Sequence, residues 1–482
     1  MRRRRQRRIA GFVFICVLLV LGITTLILRH TADAVEKDKV CQNVYIGTMN
    51  VSGMTASEVR ETLNIQIEKD KETEVTVKVG RKTAKTTLKE CGLQYKDREK
   101  LIKKALNYGK EGSLWKRYWT IRKLSKEKMV LAADLVLDAK ETKAVLKKEA
   151  VPLADHAVDA VISKSGNEFK IKKSKKGKTV DIKASAKKIQ DFINGEWNHQ
   201  AFAVKAVLVV ENPEVTGTDL KTIQDELGSF STDAGGGERW QNLKTGVEKL
   251  NGTVLMPGEE LSVHDATAPY DEENGYVPAG SYENGQVVES YGGGICQVST
   301  TLYNAVLYAE LEVVERYPHS MMVSYVDPSR DAAIAGDTKD FVFKNNYKTP
   351  ICIFAEIDAD NQMRMSIYGK ETRKEGRTIE FEVETISTEE PGVEYRENSE
   401  ASVGSMNTVR GAHTGKVVEL WKIVKQNGKE VERTKENDST YNKVDQLIEV
   451  GTKRSDGSLS GAMQSAIASQ SESKIYAAMS GG

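Results

Sequence analysis

Along the chain the spacing of apolar and polar positions changes several times, and each change marks an element. Twenty largely apolar residues, 9–28, come first; as a helix they would span roughly 30 Å, the hydrocarbon thickness of a bilayer. Further on, Thr55-x-x-Glu58 has the form of a capping box, with Val59, Leu63 and Ile67 following at helical spacing. Val75, Val77 and Val79 then alternate with polar residues and predict a half-buried strand, followed by a basic turn and a segment ending in Glu90-Cys91-Gly92-Leu93. A similar order returns with a strand over 131–137, a helix capped by Asp138 and running through Val145-Leu146, and strands over 157–162 and 168–171 around a Ser165-Gly166-Asn167 turn. The repetition predicts a small α+β unit used twice within residues 44–210. Between the copies, residues 113–118 form a basic, aromatic stretch, read as a helix that buries Leu114 and Trp115, with a carbohydrate-stacking surface as the alternative.

After Glu211-Asn212-Pro213 the turn signals crowd together: Gly235-Gly236-Gly237, Asn251-Gly252, Pro257-Gly258, Asn274-Gly275 and Asn284-Gly285. Within this loop-rich stretch Val298, Leu302, Ala305, Val306 and Ala309 recur at helical spacing, so a helix starts near Cys296; a strand over 311–316 follows. In the last third, Ile379, Phe381 and Val383 alternate with glutamates, and Asn427-Gly428 sits between strand-like 417–424 and 430–436 as a hairpin turn. Residues 377–452 therefore read as an all-β module, and the serine-, alanine- and glycine-rich tail 453–482 as disordered. The fold class is α+β and multidomain: a transmembrane helix, two small α+β repeats, a loop-rich α+β domain and a C-terminal all-β module.

Charge adds direction to the apolar run. Residues 1–30 hold seven arginines and no acidic residue, six of the arginines before the run and only Arg29 after it. Such clusters stay cytoplasmic, so residues 1–8 are expected inside, 9–28 across the cell membrane and the body outside. A cleavable signal peptide is the competing reading: Ala32-Asp33-Ala34 resembles a cleavage site, but the apolar run exceeds the usual signal length. The whole chain of 482 residues carries 70 basic and 69 acidic side chains, which leaves the body after residue 30 at a net −6. That balance excludes a nucleic-acid binder, which needs a surplus of cations. Five scattered cysteines, with no C-x-x-C pair, exclude a disulfide-stapled scaffold and give no zinc signal; the reading calls for no metal and no cofactor.

The chemistry-bearing stretch is Gly292-Gly293-Gly294-Ile295-Cys296-Gln297. Three glycines before a helix leave its first N–H groups open, and a cysteine there meets the positive end of the helix dipole, which favours thiolate. Downstream come His319, then Asp331 and Asp340. Cysteine on a helix, then histidine, then aspartate is the chain order of papain-like and transglutaminase-like thiol enzymes. In that picture Cys296 is the nucleophile, His319 the base, and Asp331 or Asp340 the residue orienting the imidazole, with Gln297 and the open N–H groups stabilising an oxyanion. The same residues also fit a purely structural role, a cysteine on a helix often being a small buried hydrophobe. A metal site from Cys296, His264 and His319 finds no paired ligand spacing.

Several longer motifs carry resemblances. "LNGTVLMPGEELSVHD", "YGGGICQVSTTLYNAVL", "ERYPHSMMVSYVDPSRDA" and "DFVFKNN", within residues 228–358, are similar to the VanW family of membrane-anchored exported proteins, one of them encoded in a vancomycin-resistance gene cluster. Two positions depart from that family's pattern: His264 stands where asparagine is usual and Ser329 where glycine is usual. "GKEGSLWKRYW" and "KGKTVDIKASAKKIQDFI", within 44–210, resemble the peptidoglycan-binding domain that precedes such domains in Gram-positive wall proteins. Gly404, Gly411, Gly415, Gly428 and Gly451 with "IEVGTK" resemble the G-five domain of extracellular adhesins and wall enzymes. Together the resemblances imply a cell-wall-associated protein that binds peptidoglycan or another wall glycan, with a part in glycopeptide resistance or wall maintenance. The alternative is a Cys-His thiol enzyme performing acyl transfer or amide hydrolysis on the peptide stem.

Overall fold

Residues Arg2–Asp33 form one helix (α1) whose apolar side chains are exposed along its length; it is long and apolar enough to cross a membrane. The computed structural model describes residues 2–166, 168–283, 286–336 and 338–480. The chain forms two compact units, Met1–Val158 with Lys175–Pro213, which includes α1, and Asp159–Ser174 with Glu214–Gly482.

In the first unit, Thr55 caps Ala56–Lys71 (α2): its hydroxyl accepts from the Glu58 N–H, while the Glu58 carboxylate accepts from the Thr55 N–H at 2.7 Å. Val59, Leu63 and Ile67 are buried as their spacing predicts. Arg98–Asn107 (α3) and Leu114–Leu124 (α4) follow, and Asp138 caps Ala139–Val145 (α5), accepting from the N–H groups of Lys140 and Glu141. The strands do not form two separate repeats. Val44–Ile46 (β1) pairs in parallel with Met129–Leu131 (β4), and Glu74–Val79 (β2) pairs with Lys82–Thr87 (β3) on one side and, in parallel, with Phe202–Lys205 (β5) on the other. Each half lends strands to the other, and one core runs from Val40 to Val204, sealed by Ile182–Gly195 (α6). Residues 131–137 make two short strands rather than one.

The expected hairpin forms between Val161–Ser165, shifted from the expected 157–162, and Glu168–Lys172, but in the second unit, with the Phe169 ring 5.8 Å from Phe354 and 5.4 Å from Tyr368. Its turn residue Asn167, and the Asn284-Gly285 turn, lie outside the described residues.

That unit is built on an antiparallel sheet. Asp225–Asp233 (β6) and Ile351–Ile357 (β7) flank Gln362–Gly369 (β8). Two helices, Glu238–Leu250 (α7) and Ile295–Tyr308 (α8), pack on it, and α8 is buried almost all round. A side chain at Gly228 would meet the Ala309 N–H at 2.3 Å, so glycine is what lets β6 approach α8 so closely. The C-terminal module is all-β, with Arg377–Glu389 (β9), Gly415–Gln426 (β10) and Lys429–Tyr441 (β11) in one sheet. A second sheet holds Val393–Ser402, Gln446–Lys453 and Met406–Arg410. Asn427 and Gly428 take φ of +49° and +77°, the tight two-residue turn their sequence predicts.

The module is fused to the sheet-and-helix layer. Leu420 belongs to the same core as α8, and the Arg330 guanidinium stacks on Phe230, Tyr308 and Phe381 at 4.9, 5.5 and 5.7 Å. Glu310, just past α8, pairs with Arg377 of β9 and Lys422 of β10. The tail expected to be disordered forms two helices instead, Gly461–Ala468 (α9) and Glu472–Ser480 (α10). Met463, Ile467 and Ile475 are buried there with Tyr395 and Val450, an apolar minority that the polar composition of the tail conceals.

Candidate active site

Gly292 and Gly294 take φ of +77° and +107°, and a Cβ at Gly293 would stand 2.2 Å from the Ala279 carbonyl oxygen. The triple glycine is therefore needed for a turn that starts α8 with Cys296 as its second residue. The Cys296 N–H has no hydrogen-bond partner among the described residues.

The loop after Glu312–Glu315 brings His319 to the wall of the same cleft as Cys296, whose thiol donates to the Ile334 carbonyl at 3.3 Å. On its other side His319 Nδ1 meets Asp331 Oδ2 at 2.7 Å, and the His319 N–H donates to the same oxygen at 2.7 Å. With Nδ1 committed, Nε2 is the nitrogen left for the thiol. Asp331 is 1% exposed, and its second oxygen accepts from Tyr441 Oη at 2.6 Å and Arg316 Nη2 at 3.1 Å. Arg316 also donates to the Asp331 carbonyl at 2.7 Å and to Ser439 Oγ at 2.9 Å. Asp331 rather than Asp340 is the carboxylate on the imidazole; Asp340 instead accepts from Ser262 Oγ and the His264 N–H.

Charge follows from these contacts. Burial pushes the Cys296 thiol up, but the hydrogen bond to His319, the charge of that ring and the Arg239 guanidinium outweigh it and hold the thiol below its ordinary value. Burial alone would lower His319; its hydrogen bonds to Asp331 and Cys296 raise it to about 9. Burial raises Asp331, and His319 and Arg316 more than reverse that. The other buried thiols move the opposite way: burial lifts Cys41, takes Cys91 to about 11 and Cys352 to about 12. Cys41 and Cys91 are not bridged. A lowered thiol beside a raised imidazole and a fully hydrogen-bonded carboxylate is the pattern of charge that nucleophilic thiol chemistry uses.

Cys296 and His319 open on a cleft of about 480 Å³, whose walls include Arg239, Tyr270, Gly294 and Tyr325. A smaller cavity of about 110 Å³ on the same two residues is lined by Met321, Met322, Lys339 and His413, the last from the C-terminal module. Gln297 does not serve as an oxyanion donor: both its N–H groups are spent on Thr232 Oγ1 (3.0 Å) and the Asp233 carbonyl (2.7 Å), and its oxygen accepts from Arg239 (2.8 Å). His264 stands on the Tyr270 ring instead of joining a ligand set. Ser329, at φ +69°, occupies a left-handed position that explains why glycine is usual there. Here its N–H donates to Tyr441 Oη at 2.6 Å, and its hydroxyl pairs with Asn437 and Ser439.

Sequence reasoning missed Arg316, Tyr441, Arg239 and Tyr325. Arg316 lies three residues before His319, a spacing that could have drawn notice; Tyr441 lies 110 residues from Asp331 and gives no local signal.

Fold and site describe a modular α+β protein with a thiol–imidazole–carboxylate set in its central domain, and the comparisons agree on the parts. Sequence models match residues 238–368 to "VanW like protein", 84–198 to "Putative peptidoglycan binding domain" and 370–453 to "G5 domain". The chain thus carries a VanW-like domain followed by a G5 domain, with a match to a peptidoglycan-binding domain ahead of them. It is 37% identical over 133 residues to the uncharacterized protein YoaR of Bacillus subtilis (strain 168), covering 27% of this chain and 44% of that one. It is 30% identical over 90 residues to the vancomycin B-type resistance protein VanW of Enterococcus faecalis (strain ATCC 700802 / V583), covering 19% and 32%. The matched region thus spans less than half the length of these curated relatives. Among solved structures, an IgA1 protease G5 domain is similar at 27% identity, covering 16% of this chain and 92% of that one with a TM-score of 0.13. The HP0197 G5 domain is similar at 15% identity, covering 16% and 97% with a TM-score of 0.11.

Proposed function

We propose that residues 9–28 anchor this protein in the cell membrane with residues 1–8 inside, that residues 44–210 and 377–452 hold wall peptidoglycan, and that Cys296, His319 and Asp331 form a thiol acyltransferase or amidase acting on the peptide stem. The lining of one open cleft by Cys296 and His319, with His319 held by Asp331 at 2.7 Å, carries the chemical part of this reading. In the first step the Cys296 thiolate attacks the amide carbonyl carbon, forming a C–S bond and an oxyanion, for which the Cys296 N–H is a free donor. The His319 imidazolium gives its proton to the leaving amine as the C–N bond breaks, which leaves a thioester. Water, or the amine of a second stem, then loses a proton to His319 and attacks, and the thiolate is regenerated. Asp331 holds the Nδ1–H and stabilises the imidazolium throughout. An anchored rather than cleaved N-terminus is supported by α1 continuing to Asp33, with the Ala32 carbonyl held by Arg117 at 2.8 Å.

The test is full-length protein incubated with stem peptides released from purified sacculi, read by mass spectrometry. Shortened or rearranged stems, absent with Cys296→Ala, are expected, along with a trapped thioester. Unchanged stems and no acylated cysteine would refute the enzymatic part. Altered stems would also make glycopeptide sensitivity of the cell a phenotype to measure.

A further inference from the structure

Helix α4 turns its aromatic side outward. Leu114, Ile121 and Leu124 lie inward or half-buried, whereas Trp115 and Trp119 are 59% and 52% exposed; the expectation that Trp115 is buried is wrong. The two indoles meet edge to face at 6.0 Å, Tyr118 stands against Trp119 at 5.5 Å, and Lys116, Arg122 and Lys123 are exposed around them. Two large apolar rings left in water beside a cationic rim are costly unless something covers them.

The end of α1 says what does. Arg117 of α4 donates to the Ala32 carbonyl at 2.8 Å and lies 3.5 Å from Asp33. Ala32 is four residues past the apolar run, about 6 Å along the helix axis, and the headgroup layer on each side of a bilayer is roughly 5–7 Å thick. Arg117 therefore ties α4 to α1 at headgroup depth, where tryptophan and tyrosine gather in membrane proteins. Beside α4 runs a groove of about 530 Å³ whose walls include Lys100, Lys103 and Lys104 of α3 and Lys116 of α4, four cations against the one carboxylate of Glu111. Its cationic lining complements phosphate-bearing lipid rather than a neutral glycan.

We propose that α4 and this groove form a membrane seat: Trp115 and Trp119 enter the interface of the outer leaflet, and the four lysines take the phosphates of anionic lipids. The assignment rests on the reading of α1 as an uncleaved anchor.

The test uses the full chain in nanodiscs whose lipids carry bromine near the headgroup end of the acyl chains. Tryptophan fluorescence should be quenched, and Trp115→Phe with Trp119→Phe should abolish more than about half of that quenching, because interfacial rings are the ones in reach; Trp197, Trp240 and Trp421 remain as internal controls. Lys103→Gln with Lys104→Gln should weaken quenching in phosphatidylglycerol discs and leave phosphatidylcholine discs unchanged. Equal quenching in parent and tryptophan variant overturns the seat, as does an emission shift with soluble glycan strands but none with lipid. Carbonate extraction of cell membranes separates the two readings. A chain that washes out overturns anchor and seat together, whereas a retained chain with unquenched Trp115 and Trp119 overturns the seat alone.

Discussion

The Tyr441 hydroxyl donates to Oδ1 of Asp331 at 2.6 Å, so a strand of the C-terminal module holds the carboxylate that holds His319. Removing the hydroxyl leaves a buried carboxylate one donor short, and a hydrogen bond to a charged group is worth about 1.5–3 kcal/mol. Tyr441→Phe should lower the unfolding free energy by about that amount and slow alkylation of Cys296 at neutral pH. A variant as stable and as reactive as the parent would show that the hydroxyl does not hold Asp331.

Thiol labelling separates Cys296 from the other buried cysteines. Its reactive ion pair exists between the lowered value of the thiol and the value of about 9 for His319. The alkylation rate at pH 7 should therefore exceed that of the other cysteines and fall as acid takes the solution through the lowered thiol value. Cys41, Cys91 and Cys352, pushed up by burial, should stay silent. His319→Ala should move the Cys296 inflection upward; an unchanged profile would leave Cys296 structural.

Asp331 gives stability a pH dependence of definite sign. Its folded value lies below the ordinary carboxylate range, so its contribution is complete above that range and is lost as pH falls through the folded value. At pH 7 Asp331→Asn, which leaves His319 and Arg316 without their anion, should cost about 3–5 kcal/mol. Denaturant unfolding from pH 7 toward pH 3 should show the gap between parent and variant closing. A constant gap would place the lost energy elsewhere.

Gly293→Ala puts a methyl group 2.2 Å from the Ala279 carbonyl oxygen, a backbone atom that cannot swing aside. Overpacking of this kind costs about 1–3 kcal/mol, and here it displaces the start of α8. Thermal unfolding should show a lower midpoint and labelling a slower Cys296. An unaffected protein would mean that the turn has room to relax.

Wall association should not need the thiol. Retention of full-length Cys296→Ala by purified sacculi should equal that of the parent at moderate salt. Retention that vanishes with modest salt would trace instead to unspecific attraction of the lysine-rich first unit for anionic polymers. No retention at all would refute peptidoglycan binding.

What the sequence disclosed was what local chemistry decides. The capping box at Thr55 and Glu58, the cap at Asp138, the Asn427-Gly428 turn and the start of α8 at Cys296 each need only a few neighbouring residues. The order Cys296, His319, Asp331 was legible too, because the chain passes through the three within 36 positions. Asp331 against Asp340 was not, since both follow His319 and only the loop path separates them. The role of Gln297 was misread because its partners, Thr232 and Asp233, arrive from another strand. Long-range pairing was equally silent: nothing around Val75 announces Phe202 as its neighbour, and the apolar spacing of residues 113–124 does not reveal which side faces solvent.

The exchange of strands in the first unit has a mechanical consequence. β1 lies parallel to β4 and β2 parallel to β5. With the N-terminus held by the membrane and the rest by the wall, as proposed, pull arriving at the leading end of β2 and at the trailing end of β5 would meet at their shared seam. Parallel neighbours pulled from opposite ends slide in shear, so the four paired positions from Val75–Phe202 to Lys78–Lys205 bear the load together instead of opening one at a time.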